Sequence, residues 1–202
     1  MDTDPGGTFD AIAAAGRLLH ARGWVPATSG NFSVRLASGA IAITASGKDK
    51  SRLAATDIMQ IDLQGKPLEG GKPSAETPLH LQLYARDPAI GAVLHTHSPN
   101  ATVISLAASR TLRIEGFELL KALSGIQAHT AAIDLPVFDN SQDIAALAAV
   151  VEQHMTHTTQ GYAYLIRGHG LYTWGKDLVE ALRHLEALEF LLECRRLQGG
   201  IT

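Results

Sequence analysis

The run Ile90-Gly-Ala-Val-Leu94, leading straight into His95-Thr96-His97, constrains this chain most. An apolar run with no polar break reads as a strand buried in a sheet. Residues two apart on a strand point to the same face, so His95 and His97 leave the buried stretch side by side. Two imidazoles placed in that way can reach one ion. Two hydrogen-bonded histidines at a strand end are the plainer alternative.

Around that stretch, helix and strand signals mix without a strict strand–helix–strand rhythm. Thr8 is placed to cap a first helix that Gly23 stops. Asn31-Phe-Ser-Val-Arg-Leu36 and Ala40-Ile-Ala-Ile-Thr44 flank a Ser38-Gly39 turn and read as a hairpin. Met59 to Leu63 is a short strand, and Pro73-Ser74-Ala75-Glu76 opens a helix running to Tyr84. Helices are expected over 100–108, 117–123 and, capped by Ser141, up to His154. Ala128 to Ile133 and Tyr162 to Ile166 read as extended, and Leu171 to Thr173 resumes after Gly168-His169-Gly170. A last helix from Lys176 to Leu197 carries Leu178, Leu182, Leu185, Leu188 and Leu192 on its apolar face and ends at Gly199-Gly200. The expectation is one α/β domain over 1–202, with three αβα layers and a mainly antiparallel central sheet.

Composition narrows the function. Hydrophobic residues at 46% against 18% charged residues supply a core and exclude a disordered chain. Seventeen basic residues against twenty acidic ones give a net charge of −3, which is no nucleic-acid footprint. Cys194 is the single cysteine, so no internal disulfide forms and a reducing compartment is expected. No apolar run approaches the roughly 20 residues of a membrane span. The start MDTDPGGTFD lacks the basic and apolar regions of a signal peptide, so the expected location is cytoplasmic.

Nine histidines stand out against five phenylalanines and four tyrosines. His169, between two glycines, can approach closely and supply a third nitrogen to His95 and His97; a turn histidine is the alternative. The small-residue turns around Gly30, Gly47 and Ser74 carry N–H groups and hydroxyls that could converge on an anion, although none has P-loop spacing. Glu118, flanked by apolar residues, is expected to be partly buried, which would raise its pKa towards proton transfer near neutrality. Glu76 is either a working acid or a first-turn acid favoured by the helix dipole. His80, four residues further on, shares its helix face and could orient it. His20, His154, His157 and His184 read as surface or satisfied core residues, and Cys194 as a buried thiol.

Five pieces appear in order along nearly the whole chain: Thr28-Ser-Gly-Asn-Phe-Ser-Val-Arg35, Ser46-Gly47, Pro73-Ser-Ala-Glu76, His95-Thr-His97 and Gly168-His169-Gly170. Together they resemble the class II aldolase/epimerase family of zinc-dependent sugar-phosphate enzymes. Ser46-Gly-Lys-Asp-Lys50 and Phe117-Glu-Leu-Leu-Lys121 look most like the dehydratases of that family. The resemblance implies His95, His97 and His169 as ligands of one zinc per subunit, with another divalent ion acceptable. It implies Asn31, Ser46, Gly47 and Ser74 at a substrate phosphate, and Glu118 as the acid/base residue. Glu76 matches a carboxylate that serves as a fourth ligand or as the base. The implied activity is dehydration of a phosphorylated ketose bearing a methylthio group, in a homotetramer with sites near subunit boundaries. Aldolases and 4-epimerases share the scaffold, and so does a non-catalytic interaction domain that lacks the three histidines present here.

Overall fold

The computed structural model describes residues 7–155 and 161–199. Helix α1 (Thr8–Ala21) leads into strands β1 (Asn31–Arg35), β2 (Ile41–Thr44) and β3 (Ile58–Ile61). Then come α2 (Thr77–Arg86), β4 (Ala92–Thr96), α3 (Pro99–Ala107) and β5 (Thr111–Glu115). A short 3-10 helix, Glu118–Ala122, precedes β6 (Ala132–Phe138), α4 (Ile144–Met155), β7 (Ala163–Ile166), β8 (Gly170–Gly175) and α5 (Leu178–Gly199). The strands form one sheet in the order β3-β2-β1-β4-β8-β7-β6-β5. Only β6 and β7 pair in parallel; the other neighbours are antiparallel.

Alternation along the central strands sorts side chains into two cores. Phe32, Leu94 and Leu171 face α1, α3 and α5, meeting Ile12, Ile104 and Leu188. Ile43, Val93 and Tyr172 face α2 and α4, meeting Leu79, Leu83, Leu147 and Val151. This is the expected αβα layering with a mainly antiparallel sheet.

Several local expectations are corrected. Helix α2 begins at Thr77, not at Pro73, because Ser74 Oγ accepts from the Glu76 N–H at 3.2 Å and holds a turn there. Strand β5 was not foreseen: its charged Arg113 and Glu115 alternate with buried Leu112 and Ile114 at the sheet edge. The extended segment expected at 128–133 lies further on, as β6, and its parallel pairing with β7 starts only at Val137, past Pro136, which has no N–H to give. Asp143, rather than Ser141, caps α4, accepting from the Ala146 N–H at 3.0 Å. Cys194 is half-exposed, not buried. His184 is a satisfied core residue, its Nδ1 2.8 Å from the Trp174 carbonyl. His157 and Gly200 lie outside the described residues.

Candidate metal centre and anion cradle

Sheet register assembles the first part of the site. His95 on β4 stands opposite Asn31 on β1 and Tyr172 on β8, all on the face covered by α2. The Tyr172 ring stacks on the imidazole at 4.0 Å between centroids. His97 follows the strand end, its backbone N–H held by the Trp24 carbonyl at 2.8 Å. His169 occupies the tight turn from β7 to β8. A Cβ on Gly170 would sit 2.0 Å from the Thr96 carbonyl, so only glycine lets β8 start this close to β4 and bring His169 to His97. Glu76 comes from the turn ahead of α2.

The donor atoms of Glu76, His95, His97 and His169 lie within 4.8 Å of one another. His97 Nε2 is 3.2 Å from His169 Nε2. Glu76 Oε1 is 3.1 Å from His169 Nε2 and 3.4 Å from His95 Nε2. Four ligands about 2.1 Å from a tetrahedral ion stand about 3.4 Å apart, so the three separations of 3.1, 3.2 and 3.4 Å match such an ion. The outer nitrogens agree. His95 Nδ1 lies 3.0 Å from the Leu171 carbonyl and His169 Nδ1 3.3 Å from Asn140 Oδ1. Both partners are acceptors, so each Nδ1 carries the proton and each Nε2 turns a lone pair inward. Glu76 Oε1 and His95 Nε2 are buried without a hydrogen-bond partner among the described residues. Lone pairs facing a carboxylate oxygen repel one another, and a cation removes that cost, so the residues present fit a metal ion.

The electrostatics fit as well. Burial pushes His97 down to about 3 and keeps it neutral, as a ligand must be.

The cluster forms one wall of a cavity of about 430 Å³. Asn31, Ser46, Gly47 and Ser74, the expected phosphate residues, line it together with Glu76, His97 and His169. Gly30 has φ 75°, and a Cβ there would meet the His95 carbonyl at 2.8 Å, so this turn can press against the strand that carries His95 only as glycine. Two further lining residues escaped the sequence reading. Lys50 is buried and its Nζ donates to the carbonyls of Thr28 at 3.1 Å and Lys48 at 2.9 Å. Burial pushes its pKa down to about 8. A lysine four residues after Ser46 is the only signal the sequence offers. Asn140, which orients His169, has none.

Glu118 is not brought to this cavity by its own chain among the described residues. Its expected burial is corrected: the side chain is 71% exposed and pairs with Lys121 at 2.6 Å. The 3-10 helix turns Leu120 inward and Glu118 outward, on a segment that packs against α5. The hydrogen bond from Lys121 lowers its pKa, opposite to the expected rise. Among the aromatic residues, Tyr172 and Trp174 belong to the core behind the cluster.

A donor set of three imidazoles and a carboxylate beside an N–H-rich cradle, on an antiparallel αβα sheet, is the architecture of class II aldolase-type proteins. Residues 10–195 match the family described as Class II Aldolase and Adducin N-terminal domain, and the chain belongs to it. It is 55% identical over 195 residues to a methylthioribulose-1-phosphate dehydratase of Alcanivorax borkumensis, covering 94% of this chain and 92% of that one. The protein of the same name from Methylococcus capsulatus is 52% identical over 190 residues, covering 94% and 93%. Among solved structures, L-fuculose-1-phosphate aldolase from Thermus thermophilus superposes with a TM-score of 0.75 at 28% identity, covering 96% of this chain and 98% of that one.

Proposed function

We propose that this chain dehydrates 5-methylthioribulose 1-phosphate to 2,3-diketo-5-methylthiopentyl 1-phosphate and water, a reaction of methionine salvage. The observation that carries the reading is the convergence of the three imidazoles and Glu76 Oε1 on one point, beside a cavity that Glu76, His97 and His169 line together with the anion cradle. It occurs in a chain about half identical to dehydratases of that name.

His95, His97 and His169 would hold one zinc per subunit, with Glu76 as the fourth donor; other first-row divalent ions suit the same atoms. Bound there, the ion supplies Lewis-acid polarisation of the ketose carbonyl, which makes the C3 proton easier to remove. Asn31, Ser46, Gly47 and Ser74, joined by Lys50, bind the phosphate and so fix the orientation of the sugar chain. Glu118 takes the proton from C3 and gives it to the C4 hydroxyl, which leaves as water. The enol that results relaxes to the 2,3-diketone. Exposed and with its pKa lowered further by the hydrogen bond from Lys121, Glu118 stands as the carboxylate a base requires. Glu118, exposed and outside its own chain's cavity, is assigned in this reading to the cavity of a neighbouring copy in a homotetramer. The single thiol suits a reducing cytoplasm.

Incubation with methylthioribulose 1-phosphate, followed by diketone absorbance, tests the reading. The expected result is product formation that a chelator abolishes and added zinc restores. An aldehyde fragment in place of the diketone would assign retro-aldol cleavage instead.

A further inference from the structure

Behind Glu76, a line of polar side chains runs into the core on the α2 face of the sheet. Asn31 Nδ2 lies 2.7 Å from Glu76 Oε2 and 3.3 Å from Ser74 Oγ. Asn31 Oδ1 is hydrogen-bonded to His80 Nε2. His80 Nδ1 lies 2.7 Å from Ser33 Oγ, which is 2.9 Å from the Tyr84 hydroxyl. Asn31, Ser33, His80 and Tyr84 are all buried, with His80 and Ser33 fully so.

We infer that His80 is a positioning residue of the metal centre: a one-way hydrogen-bond chain from Tyr84 through Ser33, His80 and Asn31 to Glu76 fixes the His80 tautomer and the Asn31 amide, and so aims Glu76 at the histidines. The direction follows from one end. Glu76 is a carboxylate and only accepts, so Asn31 must turn its NH₂ towards it. Asn31 Oδ1 then faces His80 Nε2, which must carry the proton. Burial pushes the His80 pKa down to about 3, so the ring is neutral and holds one proton only. His80 Nδ1 is therefore a lone pair, Ser33 must donate to it, and Ser33 Oγ is left to accept from Tyr84.

The consequence reaches the metal. With Oε2 held by Asn31, Oε1 is the oxygen left facing His95 and His169. The same Asn31 amide reaches Ser74 in the anion cradle, so one group ties the two walls of the cavity together. His80 lies one helical turn after Glu76 on α2, yet its hold on Glu76 passes through a residue of β1. Among the described residues, Ser33 Oγ is hydrogen-bonded to His80 and Tyr84 and Ser33 does not line the cavity, which makes it the place to interrupt the chain.

Building on the metal centre proposed above, the test separates the two claims. Long-range ¹H–¹⁵N NMR of the metal-free protein reads the His80 tautomer without reference to metal or activity. Zinc affinity is then measured by chelator competition for the parent, Ser33→Ala and Ser33→Thr proteins. The expected result is an Nε2–H tautomer in the parent. In Ser33→Ala, loss of the donor shifts His80 towards Nδ1–H, rotates or loosens Asn31 and weakens zinc binding about 10–100-fold, the usual cost of losing outer support for a ligand. Ser33→Thr keeps a hydroxyl and restores the tautomer. Loss of packing alone would lower the melting temperature without moving the tautomer. An Nδ1–H tautomer in the parent overturns the inference, as does Ser33→Ala with unchanged tautomer or unchanged zinc affinity. Failure of the parent to bind zinc, with the Nε2–H tautomer in place, would defeat the metal reading and leave the chain intact.

Discussion

The histidine cluster and the Glu118 segment were marked by the same sequence reasoning, and the fold treats them in opposite ways. His95 is fully buried, stacked on Tyr172 and fixed by registry with β1 and β8. Glu118 is on a solvent-facing 3-10 turn and is held by a lysine three residues away. A residue in the middle of a sheet inherits its position from hydrogen-bonded neighbours on both sides, so its partners follow from topology. A residue on a short connecting helix inherits only its local turn. The four donors of the cluster thus come together within one chain, while Glu118 stands apart from them, and the reading proposed above gives it to a neighbouring copy. The contrast also explains the pKa directions: burial dominates at His97 and His80, and a surface ion pair dominates at Glu118.

Four substitutions break or sharpen that contrast. His169→Ala has the largest expected effect: bound metal is lost and turnover falls at least ~10³-fold, corresponding to several kcal/mol of lost transition-state stabilisation. Metal analysis and kcat on one sample check it. Glu118→Gln should lower kcat by about 10²–10⁴-fold while the metal stays bound. Refolding this variant together with His169→Ala should restore part of the activity, because mixed assemblies contain sites with both residues intact. Absence of any recovery would return Glu118 to its own chain's cavity. Asn140→Ala removes the acceptor at His169 Nδ1, and metal affinity should weaken about 10–100-fold with kcat at saturating metal nearly unchanged. The smallest effect belongs to the far side of β4. There Glu189 of α5 is buried, and Thr96 Oγ1 donates to it at 3.3 Å. Burial raises its pKa from 4.5 to about 7. Between those values the unfolded chain holds fewer protons than the folded one, so stability present below pH 4.5 is lost as pH rises to about 7. Glu189→Gln keeps a neutral hydrogen-bonding group and should flatten the melting-temperature slope across that window.

What the sequence disclosed follows the same division. His95 and His97 were legible because a period of two on an apolar run fixes their face, and the β1–β2 hairpin because alternation meets a Ser-Gly turn. His169 was legible through its flanking glycines: Gly168 takes the positive φ of 63° that the turn needs, and Gly170 lets the turn press against the Thr96 carbonyl. Glu76 was visible as a candidate, but not the orientation of its two oxygens, which depends on Asn31 across the sheet. Asn140 and Lys50 were missed because their roles arise from contacts between distant segments that carry no local pattern. The outward turn of Glu118 was misjudged because apolar neighbours in a 3-10 helix do not share its face. Strand β5 escaped since charge on its outer face hid an alternation that was present.

X-ray absorption at the zinc edge of the protein isolated with its metal reads the central claim directly. The account predicts three imidazole nitrogens at about 2.0–2.1 Å plus carboxylate oxygen, with one imidazole fewer in any ion retained by His95→Ala. A sulfur scatterer, or a spectrum that His95→Ala leaves unchanged, would contradict it.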